Sequence, residues 1–244
     1  MASPLKQFEV QPIVDLQFAG LDVSFTNSSL MLTLIVLAIV AFFTFGLRGN
    51  SVVPTKMQAL IEMFYEFISN MLKDNIGPEG KKFFPLIFSI FLLILGANIA
   101  GMMPYAFTVT SHIAVNFAFA LFCFLIINIV GFARHGLKFL KLFVPKDVPI
   151  VILPIISVIE VISYLIRPFT LAIRLSAAMT AGHIVMKVFA GFIISLGSIF
   201  VLLGAVPLAF SVALVALELL VAFLQAFIFS ILVCIYLNDA VNMH

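Results

Sequence analysis

Long uninterrupted runs of apolar residues dominate the pattern of this chain. Three of them occupy residues 30–47, 83–103 and 113–133. Each has about the length that a helix needs to cross the hydrocarbon layer of a bilayer, for which roughly 20 residues suffice. The pattern therefore predicts three membrane-spanning helices, and the polar, mixed residues 1–29 before them predict a short solvated segment.

Residues 54–75 follow a different period. Their apolar side chains recur at steps of three and four residues, and most of their charged side chains fall on the other side. This periodicity predicts an amphipathic helix with one apolar face. Two placements fit equally well: the helix lies flat in the membrane interface, or it packs against another subunit.

The last two apolar segments, 149–196 and 206–237, are separated by a break between Gly197 and Pro207. A helix over the first segment would be about 70 Å long, whereas the hydrocarbon layer is about 30 Å thick. The segment could form two upright spans with a turn near Pro168, or one long, steeply inclined helix. Both segments carry polar residues seven positions apart, which nearly align on one side of a helix. We therefore favour two long, inclined, facing helices.

The predicted fold class is an all-α integral membrane protein with about five membrane-crossing helices plus the amphipathic interfacial helix, in a single membrane domain over residues 1–244. Composition agrees, because 64% of the residues are hydrophobic and only 10% are charged, too few to cover a soluble globule. The small net charge of +2 and the grouping of the basic residues argue against nucleic-acid binding. Cys123 and Cys234 lie inside apolar runs and form neither a disulfide framework nor a metal-binding spacing.

Basic residues are concentrated in two of the connections between spans. Five lie between Arg48 and Lys82 and four between Arg134 and Lys146, whereas none lies in 105–112. Because Lys and Arg accumulate on the cytoplasmic or matrix side, the first and third connections are predicted to face inward and the middle one outward. The N-terminal segment then lies outside. Since it lacks a basic start before a short apolar core, a cleaved targeting peptide is not expected.

Ionisable residues inside the apolar segments are the strongest indication of function. An arginine at the centre of a span costs about 2.5–3.5 kcal/mol on insertion scales, so such residues by default indicate a path for ions or protons. Glu160, Arg167 and Arg174 share the seven-residue spacing, and Glu218 and Gln225 repeat it in the last segment. A guanidinium stays charged and needs an anion. For Arg174, that anion is either Glu218, in a fixed bridge between two helices, or a group on a partner chain.

Several stretches resemble the subunit a family of the F-type ATP synthases. The strongest is LAIRLSAAMTAGH at 171–183, with Glu218 and Gln225 following in the last segment. The stretches VSFTNSS at 23–29, MPYAFTVTSH at 103–112, EVISY at 160–164 and YLND at 236–239 fit the same family. One departure is Ala178, where the family usually has asparagine. Any hydrogen bond that this amide makes must then come from water or another side chain.

The resemblance implies a membrane stator that translocates protons beside a ring of c subunits. Its other implied partners are b-type peripheral stalk subunits, the rest of the F1Fo complex and the lipid bilayer. Arg174 would attract each ring carboxylate and block a direct leak between two offset half-channels. His183 and Glu218 would line the outer half-channel, and Gln225 would help to position the ring carboxylate.

The inner half-channel would contain Glu160, Ser163 and Arg167. No cofactor or metal is expected, and the chain lacks a Gly-rich phosphate-binding loop, so it is not expected to bind ATP or to be an enzyme by itself. The predicted location is the bacterial inner membrane, with the mitochondrial inner membrane as the alternative. Two other functions stay open: a self-contained ion-coupled secondary transporter, for which no convincing internal repeat is present, and a passive membrane anchor.

Overall fold

The computed structural model describes residues 12–14, 17–18, 21–22, 24–47, 54–103, 107–143, 152–199 and 201–241. The described helices are α1 (Asn27–Gly46), α2 (Lys56–Ile76), α3 (Phe84–Gly101), α4 (Ile113–His135), α5 (Leu153–Ile199) and α6 (Val201–Val241). Shorter 3₁₀ segments cover Pro78–Phe83, Val109–Ser111 and Gly136–Phe143. Five of the described helical segments are long and apolar enough to cross a membrane. This confirms the predicted all-α membrane class with about five spans.

Four short strands precede α1, and the apolar pattern did not predict them. β1 (Pro12–Val14) pairs antiparallel with β4 (Phe25–Thr26), and β2 (Gln17–Phe18) pairs antiparallel with β3 (Leu21–Asp22). Strands of two or three residues are too short to produce a recognisable alternation of apolar and polar residues. A mixed polar segment was therefore the only pattern visible in this part of the sequence.

Helix α1 begins at Asn27, three residues before its apolar run. Thr26 is the N-cap and forms a capping box with Ser29. The backbone N–H of Thr26 donates to Oγ of Ser29 over 2.9 Å, and the backbone N–H of Ser29 donates to Oγ1 of Thr26 over 3.4 Å. These bonds satisfy N–H groups that have no partner inside the helix. The helix therefore begins with polar residues that precede its apolar run.

Much of the apolar face of α2 is buried within the chain. Ile68, Met71 and Leu72 are buried, whereas Met57 and Met63 on the same helix are exposed. The amphipathic helix of the prediction is thus a helix that covers other parts of this chain with one side. Its remaining exposed apolar side chains are the ones available to lipid or to another subunit.

Helix α5 is continuous over 47 residues, with Pro168 in its interior. The alternative with a turn near Pro168 is therefore wrong. Proline lacks an N–H and disturbs one intrahelical hydrogen bond, but membrane helices tolerate this because side chains and water can satisfy the freed backbone group. A helix of this length is about 70 Å long. Its inclination in the bilayer stays a prediction.

The break expected between Gly197 and Pro207 is much shorter in the structure. Helix α5 extends to Ile199, and α6 begins at Val201 with Pro207 inside it. A Cβ added to Gly204 would lie 3.0 Å from Cα of Gly197. The two glycines therefore let the ends of the helices approach backbone to backbone, so no long loop is needed to reverse the chain.

The described residues form two compact units. The first unit contains α1, the part of α3 from Phe91, the turn up to His112, α5 from Leu175 and α6 up to Phe227. The second contains most of α2, the start of α3, α4, α5 up to Arg174 and the end of α6. In each unit a phenylalanine of another helix contacts one of α6: Phe91 contacts Phe223 in the first, and Phe119 contacts Phe229 in the second.

Candidate functional site

Two ionisable side chains from α5 and α6 meet in a buried position of the first unit. His183 is 5% exposed and Glu218 is 4% exposed. Nδ1 of His183 lies 3.4 Å from Oε1 of Glu218. The structure thus brings together two of the residues that were predicted to share one half-channel, in a pair that can exchange a proton.

The pair depends on a glycine in α5. A Cβ added to Gly182 would lie 2.7 Å from Oε1 of Glu218, closer than side-chain carbons and oxygens approach in proteins. The missing side chain lets the carboxyl group lie directly against the backbone of α5. In the described part of the chain, neither carboxyl oxygen of Glu218 has a hydrogen-bond partner of good geometry, so the contact with His183 is the main polar contact of this carboxyl group.

The other side of the imidazole contacts the turn between α3 and α4. Oγ1 of Thr108 lies 3.2 Å from Nε2 of His183 and 3.4 Å from the carbonyl oxygen of Gly101. Thr108 is fully buried. Because a Cβ on Gly101 would lie 2.8 Å from Cγ2 of Thr108, a glycine is needed at the end of α3 for this approach. Thr108 lies in the stretch 103–112, but nothing in its sequence context distinguishes it as a site residue.

The same turn carries further polar side chains. Oγ of Ser111 donates to the carbonyl oxygen of Thr108 over 2.7 Å, which ties the backbone of the turn. His112 stacks on Phe107 with ring centroids 5.1 Å apart. Nε2 of His112 is buried and has no hydrogen-bond partner among the described residues. Burial lowers the pKa of the His112 imidazole, so this ring favours its neutral form at neutral pH.

Asn98 and Asn128, two asparagines inside the apolar spans, form hydrogen bonds with neighbouring helices. In the first unit, Nδ2 of Asn98 in α3 donates to the carbonyl oxygen of Ala222 in α6 over 3.1 Å. In the second, Oδ1 of Asn128 in α4 accepts from the Tyr164 hydroxyl of α5 over 2.9 Å. The predicted site residue Gln225 lies in α6 less than one turn after Ala222 and is half-buried.

Arg167 is the centre of a polar cluster in the second unit. Its guanidinium lies 3.5 Å from Oδ2 of Asp239. Its central carbon lies 5.1 Å from the ring centre of Tyr164 and 4.6 Å from that of Tyr236. Both distances are typical of cation–π contacts. The sequence predicted a functional Arg167 but did not identify Asp239, which lies near the end of α6 and reads as an ordinary solvated acid.

The other two residues predicted for the inner half-channel are less constrained. Glu160 is half-buried and Ser163 is exposed. Both belong to the second unit, as does Arg167. Among the described residues, neither Glu160 nor Ser163 takes part in a hydrogen bond or ion pair. The structure therefore brings the Arg167 cluster together but does not join these two side chains to it.

Arg174 differs from the other described arginines. Arg134 pairs with Glu79 and Arg167 pairs with Asp239. Arg174 is exposed, and none of the ion pairs in the described part of the chain includes it. The carboxyl group of Glu218 faces His183 instead. The side chains that follow Arg174 on the same helix face, Ala177 and Ala181, are small and exposed, which permits the close approach of another helix.

These groups define what the chain can do chemically. An imidazole beside a carboxyl group can relay protons, because the ordinary pKa of histidine is close to neutral. An exposed guanidinium on a long apolar helix can bind a carboxylate that a partner supplies. Together they favour proton transfer in a membrane over a soluble type of catalysis.

Comparison with known proteins gives full-length matches. The family model described as ATP synthase A chain matches residues 29–238. The chain is 54% identical over 243 residues to a Pelagibacter ubique protein named ATP synthase subunit a, covering 99% of this chain and 98% of that protein. It is 50% identical over 247 residues to the protein of the same name from Paramagnetospirillum magneticum, with 100% of both chains covered. It is 49% identical over 244 residues to that of Rhodospirillum rubrum, again with 100% of both covered.

Proposed function

Since the chain belongs to the ATP synthase A chain family, we propose that it is the proton-translocating stator subunit of the membrane sector, Fo, of an ATP synthase. In this role it lies beside the c-subunit ring and is held by b-type peripheral stalk subunits. Nucleotide chemistry takes place on other subunits of the F1Fo complex. The bacterial relatives and the five apolar helices support a multi-pass bacterial membrane protein, and we assign it to the inner membrane.

The exposed guanidinium of Arg174 is the observation that carries this proposal. It lies on a helix long and apolar enough to cross the membrane and takes part in none of the ion pairs of the described residues. A permanent charge in an apolar environment needs an anion. A ring carboxylate that arrives from a c subunit supplies that anion for a limited time. Arg174 thereby favours the deprotonated carboxylate and blocks a direct proton leak.

The order of the spans supports a place for the buried His183–Glu218 pair in the proposed outer half-channel. With the N-terminus outside, α5 runs from the inner to the outer side and α6 runs back. His183 lies in the later part of α5 and Glu218 in the earlier part of α6, so both belong toward the outer side. The turn that carries Thr108 contains no Lys or Arg, which is consistent with the same side.

The same order supports a place for Glu160, Ser163 and Arg167 in the proposed inner half-channel, because they lie in the earlier part of α5. Arg167 is held by Asp239 and by two tyrosine rings, which supports a role in shaping the wall of the path rather than in carrying the proton. Gln225 is half-buried in α6 and orients the ring carboxylate toward Arg174. Each proton that crosses a potential of 100 mV releases about 2.3 kcal/mol, which drives rotation and ATP synthesis.

An Arg174→Gln variant tests the proposal in the assembled complex. Glutamine keeps a polar side chain but removes the charge that a ring carboxylate needs, so ATP-driven proton pumping by inverted membrane vesicles is expected to be lost. A pH-sensitive dye measures the pumping, and immunoblots measure how much of this subunit is in the purified complex, which is expected to stay normal. The matched control is Arg134→Gln, because Arg134 has its own acid in Glu79 and its variant is expected to keep pumping.

Two results would overturn the proposal. Normal pumping by the assembled Arg174→Gln complex would make the chain a passive anchor. Uptake of a small solute driven by an ion gradient, by vesicles that contain only this purified chain, would make it a secondary transporter.

A further inference from the structure

The hydroxyl group of Thr108 occupies a position that the half-channel assignment does not explain. Its oxygen lies 3.2 Å from Nε2 of His183 and 3.4 Å from the carbonyl oxygen of Gly101. Thr108 is 0% exposed. The hydroxyl thus stands between a ring nitrogen, which can carry a proton or not, and a carbonyl oxygen, which can only accept a hydrogen bond.

We propose that Thr108 is a positioning residue of the outer half-channel that holds the His183 imidazole toward Glu218 in each protonation state of the ring. The inference rests on the proposed function, since it assigns a role within the proton path of that function. It adds a residue from the turn between α3 and α4 to a path otherwise built from α5 and α6. Thr108 itself is not a member of the relay, because a threonine hydroxyl neither gains nor loses a proton readily near neutral pH.

The argument follows from the hydrogen-bonding capacity of a hydroxyl group, which has one donor and two acceptor lone pairs. When Nε2 of His183 carries no proton, Thr108 donates to it, and the N–H on Nδ1 points to Glu218. When Nε2 carries a proton, Thr108 accepts from it and rotates its own hydrogen toward the carbonyl oxygen of Gly101. The ring therefore keeps the same orientation while Glu218 and Nδ1 exchange a proton.

No other simple side chain of this size serves both states. Valine has the same shape but neither donates nor accepts, so it removes the hydrogen bond between position 108 and Nε2 of His183. Loss of one hydrogen bond to a buried group corresponds to about tenfold in an equilibrium constant. The carbonyl oxygen of Gly101 is part of the arrangement, because it receives the hydroxyl hydrogen in the second state.

Among the described residues, Glu218 and Lys187 also act on the ring and set the background of any pH dependence. Glu218 of α6 faces Nδ1, and Lys187 is the charged neighbour one turn further along α5. Nε2, the other ring nitrogen, faces Thr108. A change at Thr108 therefore acts on the ring through Nε2, whereas Glu218 acts on it through Nδ1.

Three variants of the assembled complex test the inference: Thr108→Val, Thr108→Ser and, as a control, Thr33→Val. Thr33 carries its hydroxyl on the exposed side of α1, bonded to the carbonyl oxygen of Ser29, and so provides the same substitution far from the ring. Passive proton conduction is measured in inverted vesicles stripped of the F1 sector, per assembled complex, across pH 5.5–8.5 (about three units around the ordinary pKa of histidine).

Thr108→Val is expected to lower conduction about tenfold. Its pH dependence is expected to move to lower pH, because the hydrogen bond that the protonated ring loses is charge-assisted and stronger than the one that the neutral ring loses. Thr108→Ser is expected to restore both, and Thr33→Val to change neither. Normal conduction per complex in Thr108→Val, or a loss that serine does not restore, would overturn the inference. A parallel Arg174→Gln sample separates the two proposals: if it loses ATP-driven pumping while Thr108→Val conducts normally, only the role of Thr108 is refuted.

Discussion

Gly182 decides how closely the carboxyl group of Glu218 can approach α5. A side chain at this position would place its Cβ 2.7 Å from Oε1 of Glu218. The carboxyl group would have to move away from the backbone, and its distance of 3.4 Å to His183 would change with it. The proton-transfer pair is therefore sensitive to a single methyl group on a neighbouring residue.

Gly182→Ala is expected to lower proton pumping about tenfold, since misplacement of a reacting group by roughly 1 Å reduces rates strongly. Gly191→Ala is the matched control, because it lies on the same helix and its added Cβ meets nothing within 4 Å. Both are measured as ATP-driven pumping per assembled complex. Equal pumping by the two variants would show that the packing at Gly182 does not limit proton transfer.

For single residues, the sequence-based prediction and the structure agree where a polar residue interrupts an apolar run. His183 and Glu218 stood out for that reason, and the structure brings them together. Thr108 and Asp239 could not be singled out, because a hydroxyl group in a turn and an acid near a helix end are ordinary in any sequence. The role predicted for Arg174 depends on a partner chain and stays a prediction.

Among the elements, α5 and α6 show what apolar periodicity can predict and what it cannot. The pattern predicted two long helices, and both are present. It placed too wide a break between them, because Gly and Pro usually end helices in soluble proteins, whereas here Gly197 and Gly204 serve the close approach of two helices. The predicted start of α1 was also too late. The capping box at the beginning of this helix consists of polar residues, which are not part of the apolar run.

The polar cluster around Arg167 links elements of the second unit. Tyr164 of α5 donates to Asn128 of α4, and Arg167 of α5 contacts Asp239 and Tyr236 of α6. Polar and aromatic side chains thus join the three helices α4, α5 and α6 in this unit.

Arg167→Met is expected to destabilise the unit by about 1–2 kcal/mol, because it removes one partly exposed ion pair and two cation–π contacts. Asp239→Asn removes only the ion pair and is expected to cost less than about 1 kcal/mol. The temperature at which this subunit leaves the purified complex is therefore expected to fall more in Arg167→Met. Asp74→Asn in α2, an exposed acid outside the ion pairs of the described residues, serves as control. A larger drop for Asp239→Asn than for Arg167→Met would contradict the cluster as described.

For the molecule as a whole, the fold class and the approximate number of spans followed from composition and run length. A helix that crosses a membrane needs a long apolar segment. Five of the described helical segments are long and apolar enough to be candidate spans. The orientation in the membrane rests on the distribution of Lys and Arg alone. It also decides to which side of the membrane each of the two proposed half-channels opens.

Met103→Cys and Lys138→Cys test this orientation with a membrane-impermeant maleimide. Both positions are exposed, Met103 at the end of α3 and Lys138 after α4. The thiol of the Met103→Cys variant is expected to react in intact spheroplasts, and that of the Lys138→Cys variant only in inverted vesicles. The unchanged chain gives the background, which is expected to be low because Cys123 and Cys234 are buried. The reverse labelling would exchange the two half-channels.

The length of α5 has a further consequence for the lipid around it. If all of its roughly 70 Å is to stay within a layer about 30 Å thick, the rod has to lie about 65° from the bilayer normal. A rod laid that flat leaves a wedge-shaped space above one of its ends and another below the opposite end, where lipid tails pack poorly. In that orientation we expect water to enter each wedge from one face only, so that the tilt of a single helix would thin the barrier from both sides without opening a continuous pore.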